Sequence, residues 1–423
     1  MKIICTSDWH LGNLFHGNDR LEEHKHFLQW LLAQIKDQQP DALLVAGDVF
    51  DNGNPSAAAQ SAYYEFLALA TANCPHMTIV ITAGNHDSAS RLEAPRQLLT
   101  HHHVEVRGTI KRHWVTDHEG QGSLRIDYDD LIIPIVGQNG DHAIILAVPY
   151  LRHDVVRDES YSQGLSGFLR TLTDRARELH PDVPLVMMAH MYASGADIAA
   201  RDASERIIIG GLEQVNMDGW NDHPDYLTCG HIHKRQHIWD THWARYTGSV
   251  LPMSFAEKDY THGVDLVTLA DNHRPQVEQL VYEPQHRLRI LPEDGSEQTV
   301  NQLKKIINQE LAERTGDRPD EHFDYVWLKV WRKRVNNDDA KELMDLVASK
   351  NAVLCKTESI VETVDVGAAT GDSPTTSVDD ILNRDPMEAL NEAFVIKHNT
   401  EMSDRQKSLL TDITNRIKNE SND

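Results

Sequence analysis

The sequence predicts an α/β core followed by a small α+β module and terminal helices. Three observations carry this reading. Short apolar runs recur through the first 270 residues, and each ends abruptly in polar, often Gly-containing sequence, as buried strands do at their ends. Helical stretches lie between several of these runs, and strand–helix alternation is the pattern of an α/β sheet. The chain then changes character near residue 276, and 23 of its 25 histidines lie before residue 287.

The elements follow in order. Lys2–Cys5 opens into Ser7-Asp8-Trp9-His10, and a helix is expected over Glu22–Lys36. Ala42–Ala46 opens into Gly47-Asp48-Val49-Phe50-Asp51, followed by a helix over Ser56–Ala72. Thr78–Thr82 leads to Gly84-Asn85-His86-Asp87, and 104–150 reads as short strands and turns. Leu185–Ala189 leads to His190, and Tyr226–Cys229 to Gly230-His231-Ile232-His233. Ligands of α/β sheets bind at the carboxyl ends of the strands, so all five polar clusters are expected at one end.

The second unit is expected as strand Gln285–Leu291, helix Glu297–Arg314, strand Phe323–Arg332 and helix Asp338–Ser349, with further strand in Val353–Val366. Residues 367–377 have the Gly, Ser, Thr and Pro content of a linker. Two helices should follow, one striped by Ile381, Leu382, Met387, Leu390 and Phe394, the other by Leu409, Leu410, Ile413 and Ile417. Such stripes dock on the parent domain or on a partner. The expected layout is 1–275 catalytic domain, 276–366 α+β module, 367–377 linker and 378–423 terminal helices.

Composition sets the bounds. The chain has 423 residues, 40% apolar and 25% charged, which suits a soluble globular protein of two or three domains. Mean hydropathy is −0.49, and no apolar stretch approaches the roughly 18 residues that span a bilayer. The first residues turn polar too soon for a signal peptide. Cys5, Cys74, Cys229 and Cys355 are scattered, suggesting neither a zinc knuckle nor a disulfide framework, so a cytoplasmic location is expected. Net charge is −24, spread over both halves, so any nucleic-acid contact needs local basic patches, bound cations or a partner subunit.

Together the clusters supply Asp8, His10, Asp48, Asn85, His86, His190, His231 and His233. Carboxylate, amide oxygen and imidazole suit divalent ions such as Mn²⁺, Fe²⁺ or Zn²⁺. The set is too large for one ion and suits two, with Asp48 best placed to bridge them. Two metals roughly 3.5–4 Å apart serve in-line attack on a phosphate ester. Taken singly the elements are bland, since Asp-x-His and Gly-Asp are common turns and a lone histidine is usually a core residue. His231 and His233, two apart on an extended segment, lie on one side of it. Five such elements in one order, each closing an apolar run, are what make the set informative.

Asp8-x-His10, Gly47-Asp48-x-x-Asp51, Gly84-Asn85-His86-Asp87, His190 and Gly230-His231-x-His233 resemble the signature of the calcineurin-like metallophosphoesterases. The resemblance implies a β-sandwich flanked by helices. It implies one metal on Asp8, His10, Asp48 and His233, and a second on Asp48, Asn85, His190 and His231. His86 is then an uncoordinated catalytic residue, a proton donor to the leaving oxygen or a transition-state stabiliser, with Asp87 orienting it. With Trp9, Leu11, Gly12, Val49, Phe50, Ser88, Arg91, Leu92 and Gly248–Phe255, the motifs look like those of the bacterial SbcD nucleases, counterparts of the eukaryotic Mre-type nucleases. That narrower resemblance implies Mn²⁺-dependent exonuclease action on duplex ends and endonuclease action on single strands or hairpins, in DNA repair, recombination and replication. It also implies a capping domain, a homodimer within a heterotetramer, an SMC-like ATPase partner of the SbcC type, and a nucleoid-associated location. Archaeal and eukaryotic relatives carry a histidine where this chain has Asp51, which therefore receives no role. The rival readings are a dinuclear phosphoesterase for cyclic nucleotides or small phosphodiesters, and a non-catalytic scaffold; the filled ligand positions weigh against the scaffold.

Overall fold

Alternation of side chains along each strand builds a four-layer sandwich. In the strand Lys2–Thr6, Ile3 and Cys5 point to one side and Ile4 to the other, and all three are fully buried. Ile3 and Cys5 join Leu44, Val80, Ile145, Val186 and Met188 in a core between two sheets. Ile4 joins Leu43, Val45, Ile79 and Ile81 in an outer core under the helices Leu21–Gln38 and Ala57–Asn73. Beyond the second sheet, Ile144, Leu146, Met187 and Leu227 pack against Phe168, Leu169 and Leu172 of the helix Tyr161–Leu179. The computed structural model describes residues 1–116, 122–156, 158, 160–194, 196, 214–216, 220–238, 241–269, 274–316, 322–331 and 337–360.

The first sheet runs in the order 275–282, 262–269, 2–6, 42–46, 78–82, 104–107. Its last four strands are parallel, and the strand His262–Leu269 returns antiparallel to Lys2–Thr6. The second sheet runs 236–237, 244–246, 226–230, 185–190, 142–147, 132–136, with a parallel centre. A separate hairpin pairs Arg112–Thr116 with Gly122–Ile126. The helices carry ordinary start signals: Ser56 accepts from the N–H of Ala59 and Ser160 from that of Gln163.

The sequence places a change of domain at 275/276. The strand Pro275–Tyr282 pairs along its whole length with His262–Leu269, so the chain leaves the first sheet only after Tyr282. The next strand, Arg287–Leu291, starts a three-stranded parallel sheet with Asp324–Trp331 and Ala352–Ile360. The helices Val300–Glu310 and Asn337–Ala348 cover one face, burying Leu303, Ile307, Leu343 and Val347 against Val326, Leu328 and Val330. The first of these helices is shorter than expected, starting in a Thr299/Gln302 capping box and ending at Glu310. The opposite face, with Leu288 and Tyr325, packs on Phe15 and Phe255 of the sandwich. Residues Met1–Val361 form one compact unit. The linker and both terminal helices expected over 367–423 lie outside the described residues. No helix among the described residues is long and apolar enough to cross a membrane.

Candidate metal centre

Five turns at the carboxyl ends of strands from both sheets bring the expected residues together. The loops after Thr6 and Ala46 are knitted side by side: the N–H of Asp8 donates to the Gly47 carbonyl at 3.1 Å, and that of His10 to the Asp48 carbonyl at 3.0 Å. Asp8, His10 and Asp48 hold φ of 52°, 48° and 48°, and His231 holds 97°. This left-handed region is costly for residues with a side chain, and it clusters at functional sites. Trp9, between two of these residues, turns the other way. It is fully buried between Phe27 and Phe66, with its indole N–H on Thr6 Oγ1, and so anchors the turn.

Two glycines permit the approach. A Cβ on Gly84 would stand 2.1 Å from Asp48 Oδ1, and one on Gly47 2.3 Å from His190 Nδ1. Gly47 also holds φ of +84°.

The ligand atoms gather in overlapping groups. Asp8, His10 and His233 offer atoms all within 4.8 Å of one another, as do Asp8, Asp48 and His190. Asp48 Oδ2 lies 3.7 Å from His10 Nε2 and 3.3 Å from His190 Nε2. Asn85 Oδ1 accepts from His190 Nε2 and His231 Nδ1, both at 3.0 Å. All seven expected ligands thus meet at one place, with Asp48 between the two groups. Asp8 is further tied across the sandwich, since its Oδ1 accepts from the N–H of His231 at 2.9 Å and its Oδ2 from the Ser7 hydroxyl. Ser7 in turn contacts Thr247 Oγ1 at 2.7 Å.

The residues present fit two divalent cations. His10 is 2% exposed, yet neither of its ring nitrogens has a hydrogen-bond partner. Two buried carboxylates, Asp8 and Asp48, stand among buried imidazoles. Orphaned buried nitrogens and clustered buried charge are costly unless an ion is bound.

Ionisation follows from burial and charge. Burial would raise the pKa of Asp48, but His190, His10 and His86 outweigh it and hold the group well below the usual carboxylate range. Burial raises Asp8, and the charge of Asp48 adds to this. Burial alone would lower His190, yet Asp48 and then Asp8 raise it to about 9. His233 reaches about 9 in the same way, against burial, through Glu257 and then Asp8 and Asp48. Burial, with His190 nearby, lowers His231 to about 3, and burial drives His10 well below its ordinary value. In the metal-free site the Asp48 carboxylate and the His190 and His233 imidazoles thus favour one another's charged forms.

His86 lies beside this cluster, its ring 4.7 Å from that of His10, and it forms a group of possible ligand atoms with His10 and Asp48. Asp87, expected to orient His86, makes its hydrogen bonds to backbone. It accepts from the N–H groups of Val49, Phe50 and Gly84, stapling the loop around Asp48 to the loop around Asn85. Burial, then the charge of Asp48, raises the pKa of Asp87 to about 6, against those three donors. The partner of His86 is the carbonyl oxygen of Asp51, 2.8 Å from its Nδ1. Sequence reasoning gives Asp51 no role, although it stands in the Gly-Asp-x-x-Asp motif. Its carboxylate also accepts from Asn13 Nδ2 at 2.8 Å and lies 3.7 Å from His10 Nδ1. A second omission is Glu257, 3.0 Å from His233 Nδ1, which no motif marks.

Comparison with known proteins agrees with this geometry. A sequence profile of the calcineurin-like phosphoesterase family matches residues 1–235, more than half of the chain. The SbcD component of the SbcCD nuclease of Rhodobacter capsulatus is 37% identical over 287 residues, covering 65% of this chain and 68% of its own. The chain belongs to the SbcD family of calcineurin-like phosphoesterases. The Escherichia coli K12 protein of that name is 32% identical over 293 residues, covering 66% of this chain and 68% of its own. That of Bacillus subtilis is 30% identical over 275 residues, covering 63% and 66%. As a member of the SbcD family the chain is a phosphodiester hydrolase, a metallophosphoesterase nuclease with a cluster of His and Asp side chains able to hold metal.

Proposed function

We propose that this SbcD-family chain cuts DNA at ends, with two Mn²⁺ ions and together with an SMC-like ATPase of the SbcC type. Its activities are exonuclease action on duplex ends and endonuclease action on single strands and hairpins, in end processing for repair and recombination. The observation that carries this is the meeting of seven metal-type ligands from both sheets in a chain 37% identical to an SbcCD nuclease component.

One ion is assigned to Asp8, His10, Asp48 and His233, the other to Asp48, Asn85, His190 and His231. Two bound divalent cations supply Lewis acidity to the phosphate and a lowered pKa to the attacking water. The chain's own groups do the rest. Asp48 spans both groups and fixes their spacing, while its Oδ1 accepts from the N–H of His86 at 2.8 Å and so sets that residue's backbone. With His86 Nδ1 donating to the Asp51 carbonyl, Nε2 is the ring atom left to carry a proton to the leaving oxygen. Asp87 holds the two loops in register through its three backbone donors.

The domain assignment is 1–282 nuclease and 283–360 capping domain, with 378–423 seated on the base of the partner's coiled coil. The net charge of −24 fits this division of labour: cations neutralise the scissile phosphate, and the partner supplies much of the DNA-binding surface. A dimer of this chain within a heterotetramer, at the nucleoid, completes the reading.

The test compares labelled duplex, hairpin and single-stranded DNA with bis(p-nitrophenyl) phosphate and cyclic nucleotides, all with Mn²⁺, with and without the ATPase. Cutting of DNA is expected to exceed turnover of the small esters. Turnover of cyclic nucleotides with intact DNA would overturn the proposal.

A further inference from the structure

We infer that Glu257 is the positioning residue for His233, and that it selectively tightens one of the two metal subsites. The inference rests on the assignment of His233 as a ligand and goes beyond it.

Glu257 ends the short 3₁₀ turn Phe255–Glu257 and is 4% exposed. Both carboxylate oxygens are committed. Oε1 faces His233 Nδ1 at 3.0 Å, and Oε2 accepts from the N–H of Met253 at 2.8 Å. An imidazole whose Nδ1 is bound to a carboxylate has its ring plane fixed and its Nε2 left for a ligand role, with raised basicity. The other site imidazoles make different contacts: His190 Nδ1 faces the Ala46 carbonyl at 2.9 Å, His86 Nδ1 that of Asp51, His231 Nδ1 the Asn85 amide oxygen at 3.0 Å, and His10 Nδ1 stands 3.7 Å from the Asp51 carboxylate, beyond hydrogen-bond reach. The subsite of Asp8, His10 and His233 therefore contains a ligand sharpened by a buried negative charge, and that of Asn85, His190 and His231 does not.

The carboxylate is itself held rigidly. The chain from Gly248 onward lies against His233, with the N–H of Ser249 on the His233 carbonyl at 3.0 Å. Phe255, fully buried, packs its ring 5.3 Å from Phe15 and 5.6 Å from Trp327 of the second module. Arg20 donates to the Pro252 carbonyl at 2.6 Å while holding Glu23, and Glu23 accepts from the Tyr325 hydroxyl at 2.9 Å. The turn that aims Glu257 is thus clamped between the sandwich and the capping module.

The test uses the full chain and the variants Glu257→Ala and Glu257→Gln. Mn²⁺ binding is followed by calorimetry, and metal–metal coupling by electron paramagnetic resonance. The wild type should bind two ions. Glu257→Ala should keep one affinity and weaken the other roughly 10–100-fold, with signals of isolated Mn²⁺ replacing the coupled pair at intermediate metal. Glu257→Gln should fall between, because an amide offers one acceptor oxygen where two are used. Two ions bound with wild-type affinities in both variants would overturn the inference, as would equal weakening of both sites with a lowered melting temperature. If Glu257→Ala does not fold, the same asymmetry is required of Glu257→Gln. A wild type that binds no Mn²⁺ would instead remove the metal-site assignment on which the inference stands.

Discussion

Replacing Asp48 with Asn keeps the shape of the shared ligand and removes its charge. In the metal-free protein the raised pKa of His190, about 9, depends on Asp48, because burial acts in the opposite direction. Without that charge Asp8 and the Ala46 carbonyl alone oppose burial, so the pKa of His190 should fall from about 9 toward its ordinary value of 6.5. A fall from about 9 to 6.5, at about 1.36 kcal/mol for each tenfold, is worth about 3 kcal/mol, roughly a 300-fold change in the proton affinity of one ring. His190 is 1% exposed, so solvent screens little of this. A raised folded-state pKa contributes stability that is complete below about pH 6.5 and is lost as pH rises through about 9. That contribution should be full in the wild type and reduced in Asp48→Asn, where Asp8 remains. Imidazole signals in a heteronuclear NMR titration of chelator-treated protein, with His190 assigned by its absence in His190→Gln, measure the change directly. A His190 that still titrates near 9 in Asp48→Asn would refute the electrostatic account. The same variant should fail to take up both Mn²⁺ ions by calorimetry, and two ions bound per chain would refute Asp48 as the bridge.

His86→Ala should keep metal content and DNA binding while cleavage falls roughly 10²–10⁴-fold, the usual worth of general acid–base help; a parallel loss of metal would make His86 a ligand instead. Because His190 and His233 carry protons up to about pH 9 and must be neutral to bind metal, uptake should release protons and tighten as pH rises toward 9. Calorimetry in buffers of different ionisation heat measures the release, and heats independent of buffer would contradict it. Deleting 378–423 should leave a folded protein that cuts small phosphodiesters with Mn²⁺ but no longer co-purifies with the ATPase; retained partner binding with a lowered melting temperature would place these helices on their own chain.

Residues that meet near their own strand ends are legible in the sequence. Asp8, Asp48, Asn85, His190 and His231 each follow an apolar run within a few positions, so the strand end itself advertises the site. The α/β core follows from the same runs, whereas the sandwich is implied only by the family resemblance. What stays hidden depends on contacts made across the fold. Glu257 reaches His233 from 24 residues away, on a turn with no motif of its own. Asp51 meets His86 through its carbonyl oxygen, which every residue type possesses, so that contact leaves no signal in the sequence. The backbone contacts of Asp87 are likewise hidden, because spacing cannot tell a contact to the adjacent ring from one to the neighbouring backbone. The strand Pro275–Tyr282 reads as part of the second unit because it alternates burial only partly, as an edge strand does.

The supply of ligands from both sheets has a kinetic meaning. Asp8 accepts from the N–H of His231 across 223 residues, so the centre closes only when both ends of the sandwich have met. Contacts this distant in sequence are formed slowly, since loop closure precedes any gain from them. Helical content should return early in refolding, and competence to bind cations should return last. Once bound, the ions act as a clasp on the two sheets: at a free concentration roughly 100 times the dissociation constant, each ion adds about 2.7 kcal/mol against their separation. Chelation should therefore lower the melting temperature of the metal-loaded protein, and an unchanged melting temperature would argue against the clasp.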